Sequence, residues 1–212
     1  MTFPPTPEVI HEAGSILATE AARFASFGWM RGTSGNLSVV LSRKPMCLAV
    51  TASGLDKGSL RPADVVVVDA AGRPLVSDPD RAVKPSAEAA LHARVAQVTG
   101  AGVVVHVHTV AAVVAGRRWP GGVELSDLEM LKGIGVAARG ERVTLPVIGN
   151  SQDMTELGDR LEAARDPRVS AIVVADHGLY AWGPDPVRAR HHTEIVQWLL
   201  EAAIALSSPH HG

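Results

Sequence analysis

VVVHVHT, from Val103 to Thr109, is the segment on which the reading of the chain turns. Its β-branched residues favour an extended strand. Side chains alternate along a strand, so His106 and His108 share one side while Val105 and Val107 take the other. Two imidazoles side by side on a buried strand are costly unless something coordinates or hydrogen-bonds them. A divalent metal does this well, because neutral imidazole is its commonest nitrogen ligand. Two separately satisfied core histidines would also explain the pair, so H-x-H alone does not decide.

The residues on both sides of this segment read as strands interleaved with helices. Upstream, Pro85 and Ser86 open a helix to about Thr99, closed at Gly100–Gly102. Before it, LSVVL and MCLAVT form a hairpin, and Asp64–Asp69 pairs with Arg73–Val76 around Ala70–Gly72. SDPDRAVKP reads as a loop, and a first helix covers Pro7–Phe27, stopping at Gly28. Downstream, a short helix starts at Ala111–Ala115, Ser126–Ile134 is helical, and Arg142–Val147 is a strand. Asp153–Ala164 is a helix capped by Ser151, Ser170–Ala175 and Leu179–Trp182 are strands, and Asp185-Pro186 opens a long helix through Leu206. Hairpins among interleaved helices predict an α/β fold with a mixed sheet covered by helices, in one domain over residues 1–212.

The last pair of strands supplies a third histidine. His177 stands in VVADHGLYAWG, at the turn between them, with Gly178 after it to allow a sharp bend. Three histidines with an open fourth position is the arrangement of a catalytic metal. His191 and His192 compete for that role, but they lie in a helix, where one packs and the other is partly exposed. His210 and His211 lie in a tail expected to fray.

Composition narrows the function classes. A net charge of −2 gives no footprint for nucleic acid or an anionic membrane. A lone cysteine, Cys47, cannot build a disulfide framework, and the N-terminus has no signal-peptide pattern, so the expected compartment is the cytoplasm. Two small-residue loops, GTSGNLS (Gly32–Ser38) and TASGLDKG (Thr51–Gly58), present backbone N–H groups and hydroxyls that suit a phosphate, and Lys57 adds charge. KPSAE sets a helix start beside them. Each is a tight turn when taken alone; together with a metal they indicate a small phosphorylated substrate. Two carboxylates are candidates for proton transfer. Glu88 lies in the first turn of the KPSAE helix, with His92 four residues on and within reach. Glu129 forms a capping box with Ser126 as S-x-x-E. Residue chemistry does not choose between them.

The ordered set GTSGN, TASG, KPSAE, HVH and HG, from Gly32 to Gly183, resembles the class II aldolase/adducin family. That resemblance implies a three-layer α/β/α fold with a central mixed, largely antiparallel sheet. It implies one Zn2+ per subunit on His106, His108 and His177, and a cyclic homotetramer with sites at subunit interfaces. It assigns the substrate phosphate to Gly35, Asn36, Ser53, Gly54 and Ser86; Ala87 stands where aldolases commonly have a second serine. LEMLKGIG and DHGLYAWG are most similar to a dehydratase branch, a hydro-lyase in which Glu129 is the general acid/base. In the rival sugar-phosphate aldolase or epimerase branch the role falls to Glu88. Adducin-like members, which use the fold for assembly alone, are expected to lack the three histidines that this chain has.

Overall fold

The computed structural model describes residues 4–75 and 83–207. Val76, most of the SDPDRAVKP loop, and His210 and His211 lie outside the described residues. Helix α1 (Pro7–Ser26) leads into the hairpin β1 (Asn36–Arg43) and β2 (Met46–Thr51), then β3 (Val65–Asp69). Next come α2 (Ala89–Thr99), β4 (Val103–Val107), α3 (Val110–Arg118) and β5 (Val123–Ser126). After a 3-10 helix at Glu129–Ile134 come β6 (Arg142–Leu145), β7 (Val147–Ile148), α4 (Met154–Ala164), β8 (Ala171–Val174), β9 (Gly178–Gly183) and α5 (Pro186–Leu206).

Among the described residues the main sheet has seven strands in the order β3-β2-β1-β4-β9-β8-β7. Only the β7–β8 pair is parallel; the other neighbours are antiparallel. Alternation splits the valines of β4: Val103, Val105 and Val107 pack on one face with α1, α3 and α5. Val104 packs on the other with α2 and α4. Burying apolar side chains on both faces is what holds helices above and below, giving the three layers expected.

Five local expectations are corrected. The KPSAE helix begins at Ala89, not Ser86. Pro85 bridges Ala52, so the chain is extended there and turns at residues 86–88 before it can coil. Ser126 is not a helix cap: it ends strand β5 opposite Arg142, and Asp127 takes a left-handed φ of 57°. The strand expected at Arg142–Val147 is cut by Pro146, leaving β6 on β5 and β7 on the main sheet. Asp153, not Ser151, caps α4, accepting from Thr155 N–H at 2.8 Å. The strand expected at Arg73–Val76 is a single bridge, Val68 to Pro74, among the described residues.

Candidate metal centre and active site

Sheet register builds the site. His106 is paired with Asn36 of β1 on one side and Tyr180 of β9 on the other, so three side chains stand in one row on the α2 face. Tyr180 is fully buried and its ring stacks on His106 at 4.0 Å. His108 follows the end of β4, and His177 sits in the turn before β9. That turn must come close. A Cβ on Gly178 would lie 2.4 Å from the Val107 carbonyl oxygen and 3.1 Å from His106 Cε1.

The three imidazoles converge through Nε2. His106 Nε2 is 2.8 Å from His108 Nε2 and 3.3 Å from His177 Nε2. His106 Nδ1 is 3.1 Å from the Leu179 carbonyl oxygen, which accepts only from an N–H, so the Nε2 lone pair faces the cluster. Burial, before all else, pushes the His106 imidazole down to about 3; Glu88 opposes this and the neighbouring histidines add to it. His108 is lowered by burial and then by His177. Neutral rings are the ligand form. Ligand distances of about 2.0–2.1 Å give tetrahedral edges of roughly 3.3–3.4 Å; the 3.3 Å edge matches and the 2.8 Å edge is shorter, with all three ligand atoms within 4.8 Å of one another. The donor set therefore fits a divalent ion.

Glu88 stands against this cluster. Its Oε1 is 3.2 Å from His177 Nε2, its Oε2 is 3.5 Å from His106 Nε2, and Asn36 Nδ2 donates to Oε2 at 2.6 Å. Burial works against its ionisation. The histidine cluster, led by His106, and the Asn36 amide outweigh burial and hold the carboxyl below the usual range.

A cleft of about 370 Å³ opens beside the cluster, with Thr33, Gly35, Asn36, Ser53, Lys57, Ser86, Glu88, His108 and His177 in its lining. Structure thus brings together both small-residue loops, the KPSAE segment and the histidines. Ser86 Oγ accepts from Glu88 N–H at 3.2 Å. Gly54 is not part of that lining. Lys57 is the only Lys or Arg in it among the described residues, and its buried ammonium donates to the carbonyls of Thr33 (3.0 Å) and Leu55 (2.8 Å), tying the two loops together. Glu129 lies elsewhere: it is 78% exposed, paired with Lys132, and outside this lining. Asn150, Ser151, Gln152 and Asp176 line the cleft without having been read from sequence as site residues; their polar, turn-like composition reads as an ordinary loop, and Ser151 as a helix cap. His192 makes a bond between its Nδ1 and the Trp182 carbonyl (2.7 Å), away from the cluster.

A family model described as Class II Aldolase and Adducin N-terminal domain matches residues 16–204. The chain belongs to the class II aldolase and adducin family. Among its relatives, the methylthioribulose-1-phosphate dehydratase of Persephonella marina is 33% identical over 192 residues, covering 90% of this chain and 88% of that one. The protein of the same name from Sorangium cellulosum is 38% identical over 200 residues, covering 90% and 92%. Solved structures similar to it include an L-fuculose 1-phosphate aldolase (21% identical, TM-score 0.73, covering 93% and 89%). YgbL from Escherichia coli is another (21% identical, TM-score 0.76, covering 95% and 93%). At those identities the structures establish the class II aldolase fold alone. No helix among the described residues is long and apolar enough to cross a membrane.

Proposed function

We propose that the protein is a hydro-lyase that dehydrates 5-methylthioribulose 1-phosphate to 5-methylthio-2,3-dioxopentyl phosphate, a step of methionine salvage. The observation that carries this reading is a three-histidine centre in a chain 33–38% identical, over most of its length, to methylthioribulose-1-phosphate dehydratases. The ion is zinc, one per subunit, which three imidazoles suit. When bound, it supplies a Lewis acid for the C2 carbonyl and the neighbouring hydroxyl. The phosphate is received by Gly35, Asn36, Ser53, Gly54 and Ser86, with Lys57 as its counter-charge. Lys57 supports that role because its buried ammonium lies in the cleft lining and is held by carbonyl oxygens, with no ion pair to a carboxylate within 4 Å among the described residues. Glu129 is the acid/base: it takes the C3 proton and returns it to the departing C4 hydroxyl, and the enol left behind becomes the 2,3-diketone. Glu88 stays a supporting carboxylate beside the histidines.

Glu129 lies outside the cleft of its own chain, so in this reading it acts on a neighbouring subunit's site. A cytoplasmic homotetramer with sites at its interfaces provides that arrangement. The alternative, a sugar-phosphate aldolase or epimerase, has a specific observation in its favour: Glu88 is the carboxylate that touches the histidines. Incubation with 5-methylthioribulose 1-phosphate and, separately, L-fuculose 1-phosphate separates the two. The first should be consumed and the second left intact; the reverse result would overturn the assignment.

A further inference from the structure

Ser38, His92, Asn36 and Glu88 form one buried line of hydrogen bonds that ends at the three histidines. Ser38 Oγ is 2.8 Å from His92 Nδ1, His92 Nε2 is 2.5 Å from Asn36 Oδ1, and Asn36 Nδ2 is 2.6 Å from Glu88 Oε2. Ser38 and His92 are wholly buried and Asn36 is 6% exposed, so water does not compete for the first two links; the third, Asn36 to Glu88, is part-buried at the cleft. Sequence spacing suggested that His92 meets Glu88 directly, one helical turn away; in the structure Asn36, from β1, comes between them.

The line runs in one direction. An ionised carboxylate only accepts, so the Asn36 NH2 must face Glu88. That turns the Asn36 carbonyl toward His92, which must then carry its hydrogen on Nε2. Its Nδ1 is left as an acceptor, and the Ser38 hydroxyl fills it. Reversing a single link would set two donors or two acceptors face to face in a buried place, which is costly. The imidazole is neutral, as this pattern needs: burial pushes it down to about 4, against the pull of Glu88.

We propose that His92 is a positioning residue, which fixes the Asn36 amide so that the Glu88 carboxylate is held as an acceptor aimed at the metal centre. It touches neither substrate nor metal. The proposal rests on the cleft being the active site, and it gives the Asn36 side chain a second duty beside any contact with phosphate.

Two measurements test it. In the zinc-loaded protein, the 15N shifts of the His92 ring, assigned by their loss in His92→Gln, should report a neutral ring with hydrogen on Nε2. A ring with hydrogen on Nδ1, or a charged one at neutral pH, overturns the proposal whatever the substrate is. In turnover of 5-methylthioribulose 1-phosphate, His92→Leu should lower kcat by roughly 10–100-fold, the usual scale for a partner behind the ligands, with KM and zinc content nearly unchanged. His92→Gln, whose amide N–H can replace the Nε2 donor, should recover most of the loss. A wild-type kcat in His92→Leu, or no recovery in His92→Gln at equal folded fraction, overturns the proposal. If the wild-type protein ignores this substrate, the substrate reading fails while the tautomer measurement still decides.

Discussion

Glu129→Gln and Glu88→Gln are the sharpest pair of substitutions at the scale of single residues. Each is nearly isosteric, and each removes the ability to exchange a proton. If Glu129 is the acid/base, Glu129→Gln keeps fold and metal while kcat falls by roughly 10²–10⁴-fold. Its exposure and its single partner, Lys132, mean that the change costs little stability. Glu88→Gln should reduce kcat less, through loss of the anion beside the histidines. Steady-state kinetics on both variants decides; a near-normal Glu129→Gln with a dead Glu88→Gln would reassign the roles. Sequence could not choose between the two, and the fold explains why. The S-x-x-E spacing that offered Glu129 a capping role is spent differently, because Ser126 is paired in a strand. What places Glu88 at the histidines is the register of β1, β4 and β9 together with a turn at residues 86–88.

Elements whose apolar pattern is strong were legible: the β1–β2 hairpin, β4, α1 and α5 lie where periodicity and end signals put them. The errors fall where a residue serves a tertiary bridge instead of its local preference. Pro85, in an isolated β-bridge with Ala52, delays α2, and Pro146 moves the chain from one sheet to another. Of the site, the three histidines and the two loops were readable from spacing and composition. The Asn36 link was not, since it joins residues 52 and 56 positions apart. One element-level forecast follows from the turn between β8 and β9. Gly178→Ala places a Cβ against the Val107 carbonyl at 2.4 Å, a backbone atom that cannot step aside. Overpacking of this kind costs about 1–3 kcal/mol. It should also push His177 away from His106, so the purified variant should hold well under one zinc per chain by metal analysis. Full occupancy with unchanged thermal stability would contradict the register described for β4 and β9.

At the scale of the whole molecule, a catalytic Glu129 that lies outside its own cleft requires a partner. Mass measurement in solution should give a tetramer. Mixing is more telling. His106→Ala chains lack a metal site and Glu129→Gln chains lack the acid/base, so each is inactive alone. Reassembled together, one chain's histidines can meet the other's glutamate, in roughly one site in four by random pairing at a ring interface. Activity should therefore return on mixing; none would place both groups in one chain or remove Glu129 from the reaction. Whether the three-histidine centre serves a dehydration is read from the product itself. Turnover of 5-methylthioribulose 1-phosphate in D2O, followed by NMR, should give the 2,3-diketone phosphate with deuterium at C4, where the enol takes up a solvent proton. Cleavage between C3 and C4, releasing dihydroxyacetone phosphate and methylthioacetaldehyde, would instead show an aldolase and contradict the account.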